Sequence, residues 1–66
     1  MIIKWVNKYS HEEGYVKSIN RKERHFENTF DTSEAKVFGN AGAASMAIKT
    51  LRSYGEGDNN DFEILR

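Results

Sequence analysis

The stretch Asn40–Gly55, NAGAASMAIKTLRSYG, decides the fold, because its apolar residues recur at the spacing of one helix face. These residues are Ala44, Ala47, Ile48, Leu51 and Tyr54. Asn40 is a residue type that caps the start of helices, and Gly55 suits the left-handed conformation that often ends them. The stretch therefore predicts one amphipathic helix over about residues 41 to 54.

Three segments before this helix have the composition of β-strands, rich in β-branched and aromatic residues. The segments are Ile2–Tyr9, Tyr15–Ile19 and Phe26–Phe30. Polar connections of hairpin length separate them, so they predict an antiparallel meander. After the helix, residues 62–65 predict a last strand that returns alongside the meander.

Residues 33–38 allow two interpretations. Either a helix begins near Ser33, or Ala35–Phe38 forms a short extended segment before the helix proper. Gly39 and Asn40 would interrupt a long helix, which favours the extended segment. We therefore expect a single α+β domain over residues 1–66, a small antiparallel meander with one covering helix. Its order is β-β-β-(β)-α-β, where the bracketed strand lies near residue 37.

The chain has 66 residues and no Cys, so it can build one small core and has neither disulfides nor thiolate metal sites. This cysteine usage suits a reducing compartment. Charged and polar residues, beginning with Lys4 and Asn7, break the N-terminal apolar run before it reaches the length of a signal peptide or membrane span. We expect a cytoplasmic protein that does not enter a membrane.

The motifs that would support catalysis or metal binding are incomplete. His11-Glu12-Glu13 begins like a zinc-protease motif, but Tyr15 stands where the second His is required. The loop after Asp58 starts at calcium-loop spacing and lacks the closing Glu. We therefore expect no enzymatic activity, no cofactor, no metal site and no small-molecule substrate.

Basic residues concentrate around the turn between the second and third strands. They are Lys17, Arg21, Lys22, Arg24 and His25. Such a concentration on a β-hairpin suits the phosphates of DNA or RNA. Glu23 and Glu27 interrupt it, however, and the chain balances 10 Lys and Arg against 10 Asp and Glu. A solvated hairpin tip is the competing interpretation.

Aromatic residues on the predicted strands are candidates for a protein-binding surface. Trp5, Tyr9 and Tyr15 lie on strands whose two faces both carry apolar groups. One helix covers only one face, so some of these rings should remain on the outer face, where Trp and Tyr are common in binding hot spots. Ordinary packing at a sheet edge also explains the pattern. The expected partner is a protein or, through an edge strand, a second copy of the chain.

Part of this pattern resembles small uncharacterised proteins from phages and prophages of Gram-positive bacteria. The residues concerned are Tyr15-Val16, Phe26–Phe30, Ala35–Phe38 and the apolar positions of the helix up to Gly55. The resemblance covers most of the chain and is one of pattern and size. It implies a phage or prophage origin, and with it the host cytoplasm, but assigns no activity. Small phage proteins of this sort often bind and modulate a host protein, so the resemblance favours protein binding. A meander followed by a helix is also similar to the arm-binding domains of tyrosine recombinases, although the neutral charge departs from them.

These observations lead to one functional expectation and one alternative. We expect a small non-enzymatic binding protein that acts on a host macromolecule through its sheet face or edge. The alternative is a nucleic-acid-binding domain that uses the basic hairpin at residues 17–25.

Overall fold

A computed structural model describes all residues, Met1–Arg66, as a four-stranded antiparallel sheet packed against one helix. The elements in chain order are β1 (Ile2–Asn7), β2 (Glu13–Asn20), β3 (His25–Thr29), α1 (Ala41–Ser53) and β4 (Asn60–Leu65). Single 3-10 turns occur at Thr32–Glu34 and Glu56–Asp58. The predicted α+β class and the order β-β-β-α-β are confirmed.

The strands lie in the order β3-β2-β1-β4, and all neighbours are antiparallel. The register places Trp5 opposite Gly14 on one side and Phe62 on the other. Ile3 is opposite Ile64. Because residues opposite each other project to the same face, these side chains share the face that α1 covers.

Local signals define both ends of α1. The Asn40 side chain accepts a hydrogen bond from the Ala43 N–H at 2.8 Å, as expected for an N-cap. At the other end Gly55 has a φ of 89°, the left-handed conformation that favours glycine. The predicted helix is therefore confirmed to within one residue at its C-terminal end.

The core lies between α1 and the inner face of the sheet. It consists of Ile3, Trp5, Val16, Phe38, Ala44, Ala47, Ile48 and Leu51. Small residues at Ala44 and Ala47 let the helix approach the strands closely, and Leu51 is fully buried beneath it. All four predicted inward helix positions from Ala44 to Leu51 are thus in the core.

Residues 35–38 form an extended segment that is not a strand, so the additional strand near residue 37 does not form. The Lys36 N–H donates to Val16 O at 2.9 Å, and the Phe38 N–H donates to Met1 O at 2.7 Å. The segment is thus bonded to β2 and to the residue before β1, and it makes no ladder with either strand. Of the two interpretations of residues 33–38, the extended one is correct.

The first strand is shorter than its composition predicts, because a side chain ends it. Asn7 Oδ1 accepts hydrogen bonds from the N–H groups of Tyr9 and Ser10, both at 2.9 Å. Such a bond offers the backbone an alternative to the sheet ladder and starts a turn. Tyr9, predicted as the last strand residue, therefore lies in the turn between β1 and β2.

Candidate binding surfaces

The three aromatic residues predicted to bind a protein do not form one surface. Trp5 is 6% exposed and belongs to the core, whereas Tyr9 is 75% exposed in the turn after β1. Tyr15 is half-buried and lies opposite Lys4, on the face away from the helix. Of the three, only Tyr15 and Tyr9 are available at the outer surface.

Trp5 is buried because the sheet curls around it. The Phe26 and Phe62 rings belong to the two edge strands, which are three strand spacings or about 14 Å apart in a flat sheet, yet their centroids are 5.9 Å apart. The Trp5 ring lies 6.5 Å from Phe26 and 6.1 Å from Phe30. Its indole N–H donates to Tyr15 O at 3.3 Å, which satisfies the one polar group of the ring.

The five predicted nucleic-acid-binding residues are all exposed, at the β2–β3 turn or on the adjoining strands. Asn20 Oδ1 accepts a hydrogen bond from the Glu23 N–H at 2.9 Å, and Arg24 has a φ of 59° where the turn closes. The Arg24 guanidinium lies 5.4 Å from the centre of the Tyr54 ring, so this cation also contacts the end of α1. Neither ion pair of the molecule, Lys4–Glu13 or Lys8–Asp61, includes any of these five residues.

A groove of about 500 Å³ lies between this hairpin, the extended segment and α1. We call it the hairpin groove, and its main residues are Ile19, Arg21, Lys36, Phe38, Met46 and Ala47. It contains two cations and no carboxylate. Met46 is 63% exposed, and Val37, between two of the lining residues, is also exposed.

A second cavity of about 300 Å³ lies on the inner side of the curled sheet. We call it the aromatic cleft, and its main residues are Trp5, Phe26, Phe30, Glu12, Glu56 and Asn28. Its charge is opposite to that of the hairpin groove, because it contains two carboxylates and no cation. Phe30 is 68% exposed.

Sequence reasoning did not single out Lys36, Met46 or Phe30 as surface residues. The exposure of Met46 and Val37 could have been predicted, because each is an apolar residue that falls outside the inward positions of the helix and strand patterns. β3 ends at Thr29, one residue before the predicted end of this strand, and the Phe30 side chain extends past the core. Each surface depends on residues that are distant in sequence.

The His, Asp and Glu side chains are nowhere grouped in threes, as a metal site would need. The Ser33 hydroxyl and then the Ser33 N–H hold the pKa of Asp31 below its ordinary value of 3.8. This carboxylate caps the 3-10 turn at Thr32–Glu34, so its lowered pKa has a structural cause.

Comparison of the chain with protein-family models, with curated proteins and with solved structures finds no match. The resemblance to phage and prophage proteins therefore stays a prediction. No helix of the structure combines the length and the apolar character that spanning a membrane requires.

Proposed function

We propose that this chain is a small non-enzymatic binding protein, phage- or prophage-encoded, that modulates a host protein in the host cytoplasm. The partner contributes an acidic segment with apolar side chains, which lies in the hairpin groove. The observation that supports this proposal is the composition of the groove, an apolar floor bordered by cations without a compensating carboxylate. The groove replaces the sheet face or edge, predicted from the sequence, as the proposed surface.

The apolar part of the groove favours a protein partner. Ile19, Phe38 and Ala47 form its floor beside the exposed side chain of Met46. Exposed apolar groups in a concave surface are typical of interaction sites, since most large apolar side chains of a monomer are buried. Methionine also adapts its shape to different partners. Apolar side chains of a protein fill such a groove better than a phosphate backbone does.

The charge of the groove favours an acidic partner. Arg21 and Lys36 line it, and Lys17 and Lys22 are exposed on the same hairpin. None of these four cations belongs to an ion pair within the molecule. Complementary charge speeds association and selects against basic partners, although it adds less to affinity than apolar contacts do.

The outer sheet face is a weaker candidate, because its central cation is already paired. Lys4 Nζ lies 3.5 Å from Glu13, and Glu63 is directly opposite on β4. The half-buried apolar residues around it are Ile2, Val6, Tyr15 and Leu65. They form part of a mixed surface of the kind that most proteins expose to water.

The proposal is tested by capture from a Gram-positive bacterial lysate with immobilised wild type and three variants. Met46→Asp and Arg21→Glu change the groove, whereas Lys49→Glu makes the same charge reversal on an exposed helix position outside it. We expect one protein to be retained by wild type and Lys49→Glu and lost with both groove variants. Purified, that protein should bind in direct titration with an affinity that falls as salt rises. Unchanged retention by both groove variants would overturn the proposal.

Nucleic-acid binding is the second candidate, favoured by the exposure of all five hairpin residues. Duplex DNA and single-stranded RNA of random sequence provide the test at low salt. If the hairpin binds phosphates, Lys22→Glu and Arg21→Glu should weaken binding and flatten its salt dependence, while Lys49→Glu should not. Absence of a shift with either nucleic acid rejects this candidate.

A further inference from the structure

We infer that the aromatic cleft is a second binding site, and that it takes the guanidinium group of an arginine side chain from a partner protein. The inference does not depend on the proposed function, because the cleft and the hairpin groove share no lining residue. It depends on the position, charge and aromatic walls of the cleft.

The cleft is the part of the inner sheet face that α1 leaves open. Its floor is Trp5, and the Phe26 and Phe30 rings of the curled β3 side form one wall. Its volume of about 300 Å³ is at the lower end of the range of about 300–1,000 Å³ usual for ligand sites. A space of this size suits one side chain.

The electrostatics of the cleft select a cation. Glu12 and Glu56 line it, and no Lys, Arg or His does. The two ion pairs of the molecule involve other carboxylates, Glu13 and Asp61. Lys8 follows Asn7, which lines the cleft, but Lys8 itself does not line it. Its Nζ donates to Gly57 O at 2.9 Å. Two carboxylates beside three aromatic rings, with no cation of the chain between them, are complementary to a positively charged group.

The aromatic rings favour guanidinium over ammonium. A guanidinium is planar, stacks on an aromatic face, and donates several hydrogen bonds in its own plane. The exposed Phe30 ring, inclined at 60° to Trp5, offers a face on which a planar group can stack, and Glu12 and Glu56 line the same cleft. Carboxylates accept hydrogen bonds from the edge of such a group in paired geometry.

Three Asn side chains line the cleft. Two of them are already hydrogen-bonded within the protein, and one is free to bind a ligand. Asn7 Oδ1 accepts from the N–H groups of Tyr9 and Ser10, and Asn60 Nδ2 donates to Glu56 O. The Asn7 bonds fix the turn after β1, and the Asn60 bond positions the backbone of Glu56. The exposed Asn28 amide is left to accept from a ligand N–H.

The chain contains one Trp, so its fluorescence reports on the floor of this cleft. The probe is N-acetyl-arginine amide, titrated into the folded protein at low salt. We expect a saturable change of Trp5 fluorescence with a dissociation constant of about 1–10 mM, the range for a ligand of this size. The corresponding citrulline amide is isosteric and neutral, and it should produce no saturable change.

Substitutions in and outside the cleft test whether the arginine amide binds there. Glu56→Gln and Glu12→Gln should each weaken arginine binding at least about fivefold, because each removes a full charge next to the ligand. Glu63→Gln, an identical change on an exposed residue outside the cleft, should leave it unchanged. Phe30→Leu keeps an apolar side chain and removes the stacking face, so it should also weaken binding. Circular dichroism confirms that each variant is folded.

Three outcomes would overturn the inference. They are equal binding of the arginine and citrulline amides, wild-type affinity in both Glu→Gln variants, and failure of the arginine amide to shift the Trp5 indole N–H resonance. A lysine amide that binds as tightly as the arginine amide overturns the assignment to guanidinium. Met46→Asp should leave the titration unaffected, which separates this site from the hairpin groove.

Discussion

The indole of Trp5 lies so close to Gly14, its neighbour across β1 and β2, that a β-carbon at position 14 would be 2.7 Å from Trp5 Cζ2. The same β-carbon would be 3.0 Å from Thr29 O on the other neighbouring strand. Only glycine fits at this position, because any side chain would displace the ring that forms the floor of the aromatic cleft.

Gly14→Ala should accordingly destabilise the domain by about 1–3 kcal/mol, the usual cost of forcing atoms into a packed core. Urea unfolding followed by Trp5 fluorescence measures this change. Gly39→Ala is the matched control, since a β-carbon there meets nothing within 4 Å and the φ is not positive. Equal stability of the two variants would show that the Trp5 ring moves aside without cost.

Leu51→Ala should destabilise the domain by about 2–5 kcal/mol, because it removes a fully buried side chain and leaves a cavity. A domain of this size has a total stability of roughly 3–10 kcal/mol, so the variant should be partly unfolded at 37 °C. Met46→Ala, a comparable truncation on the exposed side of the same helix, should change stability little. Thermal melts by circular dichroism compare the two, and similar melting temperatures would contradict the position of α1 on the sheet.

Asn40→Ala should cost about 1 kcal/mol of stability, since it removes the side chain that accepts from the Ala43 N–H at the start of α1. Asn59→Ala provides the control, because Asn59 ends the 3-10 turn at Glu56–Asp58 through its backbone N–H, which the substitution keeps. Guanidinium unfolding gives both values. A loss of the same size in both variants would assign the effect to Asn→Ala exchange in general and not to the cap.

The Asp31 carboxylate should have a pKa below 3.8 in the folded protein, held down first by the Ser33 hydroxyl and then by the Ser33 N–H. A lowered folded-state pKa stabilises the fold above the unfolded value, and this contribution is lost as the pH falls through the folded pKa. The stability difference between wild type and Asp31→Asn should therefore be present at pH 5 to 7 and shrink below about pH 3.8.

Titration of the Asp31 carboxyl by NMR tests this directly. Ser33→Ala removes the hydroxyl and should raise the pKa of Asp31 towards 3.8. Thr32→Ala removes a neighbouring hydroxyl that does not bond to Asp31, and it should leave that pKa in place. An identical Asp31 pKa in wild type and Ser33→Ala would reject the assigned cause.

Neither of the two cavities could be predicted from the sequence. Arg21, Lys36 and Met46 lie on a hairpin, an extended segment and a helix, and only the packed structure places them around one groove. Composition alone showed the cluster of basic residues, which the structure places at the β2–β3 turn and on the adjoining strands. It did not identify the apolar floor beside it, because Phe38 is held there by core packing and by long-range backbone hydrogen bonds to Met1.

The helix and the order of the elements follow from local signals in the sequence. Asn40, the apolar spacing and Gly55 act within a few residues of one another, so α1 is predictable to within one residue. The surroundings of Trp5, in contrast, depend on how the strands pack together. Strand alternation places it on the same face as Ile3, but the curl of the sheet that brings Phe26 to 5.9 Å from Phe62 depends on contacts between strands far apart in the chain. That curl makes Trp5 the floor of a cleft instead of an exposed binding residue.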